Sequence, residues 1–162
     1  MAQLMSIAFK AADLETKPED RFSRRVASCA TLAPRQGIVG DAKGATGNRQ
    51  LNVMLAETVD ELQVEGLRTA PGELGEQLII AGLPASAGSV GVRLRIGGTA
   101  VIEVGIPRTG CARFEHIQGR PKSAVAGRLG FMARVVVGGE IAVGDEVVVE
   151  TRTEAGMQGE LF

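Results

Sequence analysis

The stretch GIPRTGCARFEHIQGR, residues 105–120, sets Cys111 between Arg108 and Arg113 and follows it with His116, the single histidine of the chain. A thiolate is a nucleophile and a ligand for soft metals, and neighbouring guanidinium groups favour it over the thiol. Pro107 and Gly110 interrupt the chain after the strand-like VIEV, which places Cys111 in or beside a loop where its sulfur is reachable. Free cysteines are also among the most buried residue types, so the local sequence fits a working thiol and an inert filler equally well. His116 lies five residues further on, and the pair lacks the additional Cys or His ligands of a structural zinc site. No third residue can be named to orient a Cys–His nucleophilic pair, so a solvent-facing loop histidine is expected. Cys29 sits inside the alternating RVASCATL with no turn beside it, where inert packing is expected.

Two further stretches carry chemistry-bearing residues. QGIVGDAKGATGNRQ, residues 36–50, interleaves Gly37, Gly40, Gly44 and Gly47 with Asp41, Lys43, Asn48 and Arg49. Such a loop can present backbone N–H groups and a few cations to an anion, or it can be a glycine-rich turn in which Asp41 bonds its own backbone. Neither the phosphate-loop pattern nor a dinucleotide G-x-G-x-x-G leading into a helix occurs there. RTAPGELGEQLIIAGLP, residues 68–84, is punctuated by Pro71, Gly72 and Gly75 and offers Glu73, Glu76 and Gln77 as polar contacts. Its loop chemistry alone favours a turn feeding a strand.

The elements that must hold these residues read mostly as strands. With 162 residues the chain is the size of one domain, and 44% hydrophobic and 23% charged residues describe a folded core. Twenty-two glycines and the absence of Trp and Tyr favour a strand-and-turn protein packed with aliphatic residues and five Phe. In SVGVRLRIGGTAVIEVG, Val90, Val92, Leu94 and Ile96 alternate with Arg93 and Arg95, and Gly97-Gly98 predicts a two-residue hairpin turn. ARVVVGGEIAVGDEVVVE predicts strands at 133–137, 140–143 and 146–151 with turns at Gly138-Gly139 and Gly144-Asp145. MSIAFKAA and RVASCATL read as strands around a surface loop, DLETKPEDRFSR. One main helix is expected within 53–65, with Leu51, Leu55, Val59 and Leu62 on its apolar stripe, and a shorter one around 122–127. The fold class is therefore mainly β, a predominantly antiparallel barrel or sandwich whose opening is covered by helices.

The formal net charge of −1 gives no general affinity for nucleic acid or anionic membrane, and no apolar run approaches the roughly 20 residues of a membrane-spanning helix. Two cysteines make no disulfide framework and no signal segment opens the sequence, so a cytoplasmic location is the expectation.

Taken in order, GIVGDAKGATGNRQLNVMLAETVDEL, PGELGEQLIIAGL, VGVRLRIGGTAVIEVGIPRTGCARFE and LGFMARVVVGGEIAVGDEVVV resemble the MOSC domain, the module named for the C-terminal part of molybdenum-cofactor sulfurases. The resemblance spans about residues 36–150 and implies a β-barrel in a single domain. It implies that Cys111 carries sulfur as a persulfide or ligates the molybdenum of a pterin cofactor, with Gly40 and Asp41 at the edge of the site. Arg49 and Arg108 match basic positions that meet the cofactor phosphate or pterin oxygens, a task suited to bidentate Arg. Lys43 stands where many relatives have His. Glu76 falls in the family's PG-x-x-G-E-N-L, with Gln77 in the Asn place. Together with Arg113, these residues form the expected cofactor-binding set.

The resemblance supports three expectations. The first is a protein that binds molybdenum cofactor or carries sulfur supplied by a cysteine desulfurase. Related sulfurases contain a pyridoxal-phosphate domain for that supply, but no pyridoxal-phosphate site is identifiable in this chain. The second is a small molybdenum reductase of N-hydroxylated compounds, which needs a separate redox partner because the chain has no iron–sulfur cysteine set or flavin motif. The third is a binding or assembly module without chemistry.

Overall fold

The computed structural model describes residues 1–14, 18–42 and 49–150. In chain order the elements are β1 (Ala2–Phe9), β2 (Arg25–Ala27), β3 (Cys29–Ala33), β4 (Gly37–Ile38), β5 (Leu51–Leu55), α1 (Ala56–Val64) and β6 (Leu78–Ala81). They continue with a 3-10 turn at Ala85–Gly88, β7 (Arg93–Ile96), β8 (Ala100–Pro107), α2 (Ala112–Gln118) and a second 3-10 turn at Lys122–Val125. The last strands are β9 (Phe131–Val137), β10 (Gly139–Ala142) and β11 (Glu146–Glu150).

Seven strands close into a barrel in the order β11-β7-β8-β9-β5-β6-β1, with β1 returning to β11 through Ala2↔Val147 and Gln3↔Glu146. Closure removes the free strand edges that would otherwise template association. β2 extends from the far end of β1, and β10-β3-β4 forms a small second sheet. The barrel is mixed: β5 and β6 run parallel, joined by a crossover that contains α1, and the other barrel pairings are antiparallel.

The parallel pair is buried on both faces. Val53, Leu78 and Ile80 join Leu4, Ile7, Leu94, Ile102 and Val135 in the main core. Met54 and Ile79 point the other way, into a second core with Val59 and Leu62 of α1, Phe114 of α2, Val125 and Leu129. Two-sided burial is the usual condition of parallel strands, and here the helices and the loops beside them supply the outer cover.

Several sequence expectations change. Leu51 and Leu55 belong to β5, so the helix begins only at Ala56. A spacing of four fits one helix face and one strand face alike, so the stripe could not place this boundary. The β7–β8 loop holds three residues, Gly97, Gly98 and Thr99, because Ile96 pairs with Ala100. Val90 lies outside β7 and is exposed.

Gly138 does not close a hairpin; β9 stays in the barrel while β10 crosses to pair with β3. Cys29 is exposed rather than packed, because its strand lies in the small sheet, where only Leu32 of the five residues is buried. His116, expected in a loop, lies in α2. Among the described residues no helix is long and apolar enough to cross a membrane.

Gly130, entering β9, sits at the closest backbone approach, where a Cβ would overlap the Val53 carbonyl oxygen, and its φ is +76°. Gly127 has the same φ with nothing within 4 Å of a Cβ. Gly130→Ala should therefore cost at least about 2 kcal/mol in urea denaturation, and Gly127→Ala about 1 kcal/mol from left-handed strain alone. Equal losses would show that the Val53 contact does not matter.

Candidate functional site

Outside the barrel wall, a cavity of about 370 Å³ lies over Asn52 of β5 and Met132 of β9. These two residues pair directly across the strands and alternate with the core residues Val53 and Phe131, so their side chains face away from the barrel interior. The remaining walls come from Lys10 after β1, the 22–24 segment, Gly75, and residues 108–113. The segment from Arg108 to Gly110 leaves β8 and leads to Cys111, the residue that caps the start of α2.

Arg108 is held firmly. Its backbone N–H donates to Gly130 O at 3.0 Å, extending the β8–β9 ladder, and its Nη2 donates to Leu74 O at 2.6 Å. The side chain is buried, and among the described residues Nη1 has no hydrogen-bond partner. Burial pulls its pKa down to about 10, against the attraction of Glu76. Arg24 reinforces the same wall: its Nη1 donates to Ser23 O at 3.0 Å, its Nη2 to Gly75 O at 3.3 Å, and its buried Nε has no partner among the described residues. Burial lowers the pKa of Arg24, opposed by Asp41 and Glu76, while the charge of Arg113 adds to the lowering.

Arg113 ties the 18–24 segment down. Its Nη2 donates to Pro18 O at 2.9 Å and to Arg21 O at 2.8 Å, and its guanidinium lies 5.5 Å from the centre of the Phe22 ring. Arg24 lies 5.6 Å from the same ring. These contacts turn a segment read from sequence as surface loop into a wall of the cavity.

The structure therefore brings Cys111, Arg108 and Arg113 together and adds Lys10, Phe22 and Arg24, which sequence reasoning did not select. The signal for Phe22 and Arg24 was the basic cluster around an aromatic in RFSRR, whereas Lys10 at the end of MSIAFK carried none. Cys111 is exposed at the cavity. His116 is exposed in the last turn of α2 and does not line the cavity.

Glu76 and Asp41 lie in the layer behind. Glu76 accepts N–H bonds from Gly72 at 2.6 Å and Leu74 at 3.2 Å, fixing the loop whose Leu74 carbonyl binds Arg108. Asp41 accepts from the Lys10 backbone N at 3.2 Å and from Gln77 Nε2 at 3.0 Å, while Gln77 Oε1 accepts from Asn52 N at 2.7 Å. Gly40 and Arg49 are exposed and do not line the cavity. Lys43 lies outside the described residues. Among the described residues no group of three or more His, Cys, Asp or Glu could hold a metal.

Residues 35–148 match the MOSC domain. The chain belongs to the MOSC domain family. That family is associated with molybdenum cofactor and sulfur chemistry. The MOSC fold is also shared with solved structures of low sequence identity. YiiM from Geobacillus stearothermophilus is 20% identical with a TM-score of 0.71, covering 94% of this chain and 76% of its own. The YUAD protein from Bacillus subtilis is 19% identical with a TM-score of 0.70, covering 91% and 94%. YiiM from Escherichia coli is 19% identical with a TM-score of 0.68, covering 93% and 71%. No curated protein matches the chain.

Burial raises the Glu76 carboxyl above its ordinary 4.5, against the pull of its N–H donors and Arg108. A folded-state pKa above the unfolded one stabilises the fold fully below about pH 4.5, and that stabilisation is lost as the pH rises through the folded-state value. Glu76→Gln cannot ionise and replaces one acceptor oxygen with a donor, which should cost about 1–3 kcal/mol at low pH. Urea denaturation from about pH 4 to about pH 7 should show its deficit to wild type narrowing as pH rises. A deficit that widens would contradict the direction.

Proposed function

We propose that this MOSC domain binds the molybdenum pterin cofactor, with Cys111 as the thiolate ligand and the arginine-lined cavity as the seat of the cofactor's anionic part. The observation that carries the reading is an exposed thiol beside a cavity lined by Lys10, Arg24, Arg108 and Arg113 and, among the described residues, by no carboxylate. The unpartnered Nη1 of Arg108 and Nε of Arg24 are the donor complement that a phosphate or pterin oxygen requires. A softer point of attachment is the thiolate of Cys111, which suits molybdenum.

Each residue then has a stated task. Arg108 and Arg24 bind anionic oxygens, and their burial strengthens that attraction by removing competing water. Arg113 holds Phe22 and Arg24 in place through the carbonyls of Pro18 and Arg21. Asn52, fixed through its backbone by Gln77, donates from Nδ2 to Gly75 O at 3.3 Å and so braces the glycine that faces Arg108. The cofactor, when bound, supplies the redox chemistry of molybdenum.

A second reading, sulfur carriage, is favoured by the exposure of the thiol. The Cys111 thiolate attacks the outer sulfur of a donor persulfide; the new S–S bond forms on Sγ while the donor's S–S bond breaks and its electron pair leaves on the donor thiolate. A cysteine desulfurase is the class of donor required.

The test is purification under reducing conditions from a molybdenum-replete host, followed by metal analysis, pterin fluorescence and intact mass. Wild type should carry molybdenum and pterin, Cys111→Ala should lose the metal, and Arg108→Gln should lower occupancy about tenfold or more. A sulfur-sized mass increase on Cys111 without metal would favour carriage. Loss of the signal in Cys29→Ala but not in Cys111→Ala would overturn both readings.

A further inference from the structure

Beside the arginine-lined cavity lies a second recess of about 440 Å³, bounded by Thr109, Gly110, Lys122, Ser123, Ala126 and Gly127. The two spaces share Thr109 and Gly110 as a common wall, and the next residue, Cys111, lines the first. The wall is thin by necessity: a Cβ at Gly110 would lie 2.9 Å from Lys122 Cβ and 3.5 Å from the Phe114 ring. The far side of the recess is fixed, because Lys122 N donates to Glu115 Oε2 at 2.7 Å and Val125 packs into the second core.

The lining of the recess differs in character from that of the cavity. It has one ammonium, on Lys122, two hydroxyls, on Thr109 and Ser123, and otherwise alanine and glycine. Among the described residues it contains no carboxylate and no aromatic ring. Lys122 makes no ion pair among the described residues. One mobile cation with two hydroxyl donors suits a single carboxylate, whereas the fixed guanidinium forks on the other side of the wall suit multidentate oxyanions.

We infer that this recess is a separate subsite that takes a small carboxylate-bearing molecule and presents it to the Cys111 side of the shared wall. The inference deepens the reading of Cys111 as the working thiol and rests on it. Lys122 binds the carboxylate, Thr109 and Ser123 donate to its oxygens, and the alanine and glycine surface leaves room for a short aliphatic body. The division of labour assigns the cofactor's anionic part to the arginine side and the reacting small molecule to the lysine side.

Iodoacetate and iodoacetamide test this directly, because they share an electrophilic carbon and differ in the carboxylate. Each alkylates Cys111 Sγ, forming an S–C bond as the C–I bond breaks and iodide leaves with the electron pair. Rates are measured on the full chain carrying Cys29→Ser, in preparations free of bound metal and reduced to remove any persulfide, so that Cys111 is the one free thiol read by mass spectrometry. Alkylation by iodoacetate should saturate with reagent concentration and exceed the iodoacetamide rate at low concentration, while iodoacetamide should remain linear.

Lys122→Gln should lower the iodoacetate rate about fivefold and remove saturation, with the iodoacetamide rate changed less than about twofold. Ala126→Leu, which fills the recess without altering charge, should also remove saturation. The inference is overturned if the iodoacetate preference survives Lys122→Gln, if Ala126→Leu leaves saturation intact, or if Cys111 reacts with neither reagent. Failure to find molybdenum or persulfide on the wild-type protein would sink the proposed function while leaving these rate ratios unaffected, so the two failures are distinguishable.

Discussion

Arg108 is a charged side chain with 8% of its surface exposed, and a desolvated guanidinium is tolerated only where donors and charge are answered. The Leu74 carbonyl answers one nitrogen and the Gly130 carbonyl fixes the backbone. The charge of Glu76 opposes the cost of burial, although the carboxylate is itself buried and held by the Gly72 and Leu74 N–H groups. The turn of residues 71–77, the start of β9 and the end of β8 are thereby locked to one charge. The packing around Arg108 is an arrangement for keeping a cation dry beside a cavity, with Nη1 buried and without a hydrogen-bond partner among the described residues.

Most of the barrel was legible because β-strands with one buried face carry a period of two that few other structures share. β7 and β9 show it plainly. The errors fall where that signal is ambiguous. The Leu51 to Leu55 spacing satisfies both periods, and the parallel β5–β6 pair, covered on both faces, loses its alternation. Gly138-Gly139 looked like a hairpin turn because a glycine pair states that the chain can bend but not which partner it will meet afterwards. That choice is made by β3, more than a hundred residues earlier.

The site was legible only where its residues are neighbours in sequence. Cys111, Arg108 and Arg113 could be read from one loop. Phe22 and Arg24 arrive from a segment whose polarity resembles any solvated loop, and the hydrogen bonds of Arg113 bring it to the cavity, while Lys10 follows directly on β1 and carries no local sign of a site. Glu76 and Asp41 could be read as polar members of glycine-rich turns, yet their burial and their place behind the wall depend on contacts with Leu74, Lys10 and Gln77. A motif indicates that a residue matters and leaves open whether it meets a ligand or supports one that does.

The floor of the cavity is part of the barrel wall, since Asn52 and Met132 are the outward members of strands whose inward members build the core. A one-residue slip between β5 and β9 would exchange the two sets, turning Val53 or Phe131 toward the cavity. Any sequence that closes this barrel in register therefore inherits the same floor. The rim, in contrast, comes from residues outside these two strands, so substitutions there leave the β5–β9 register untouched.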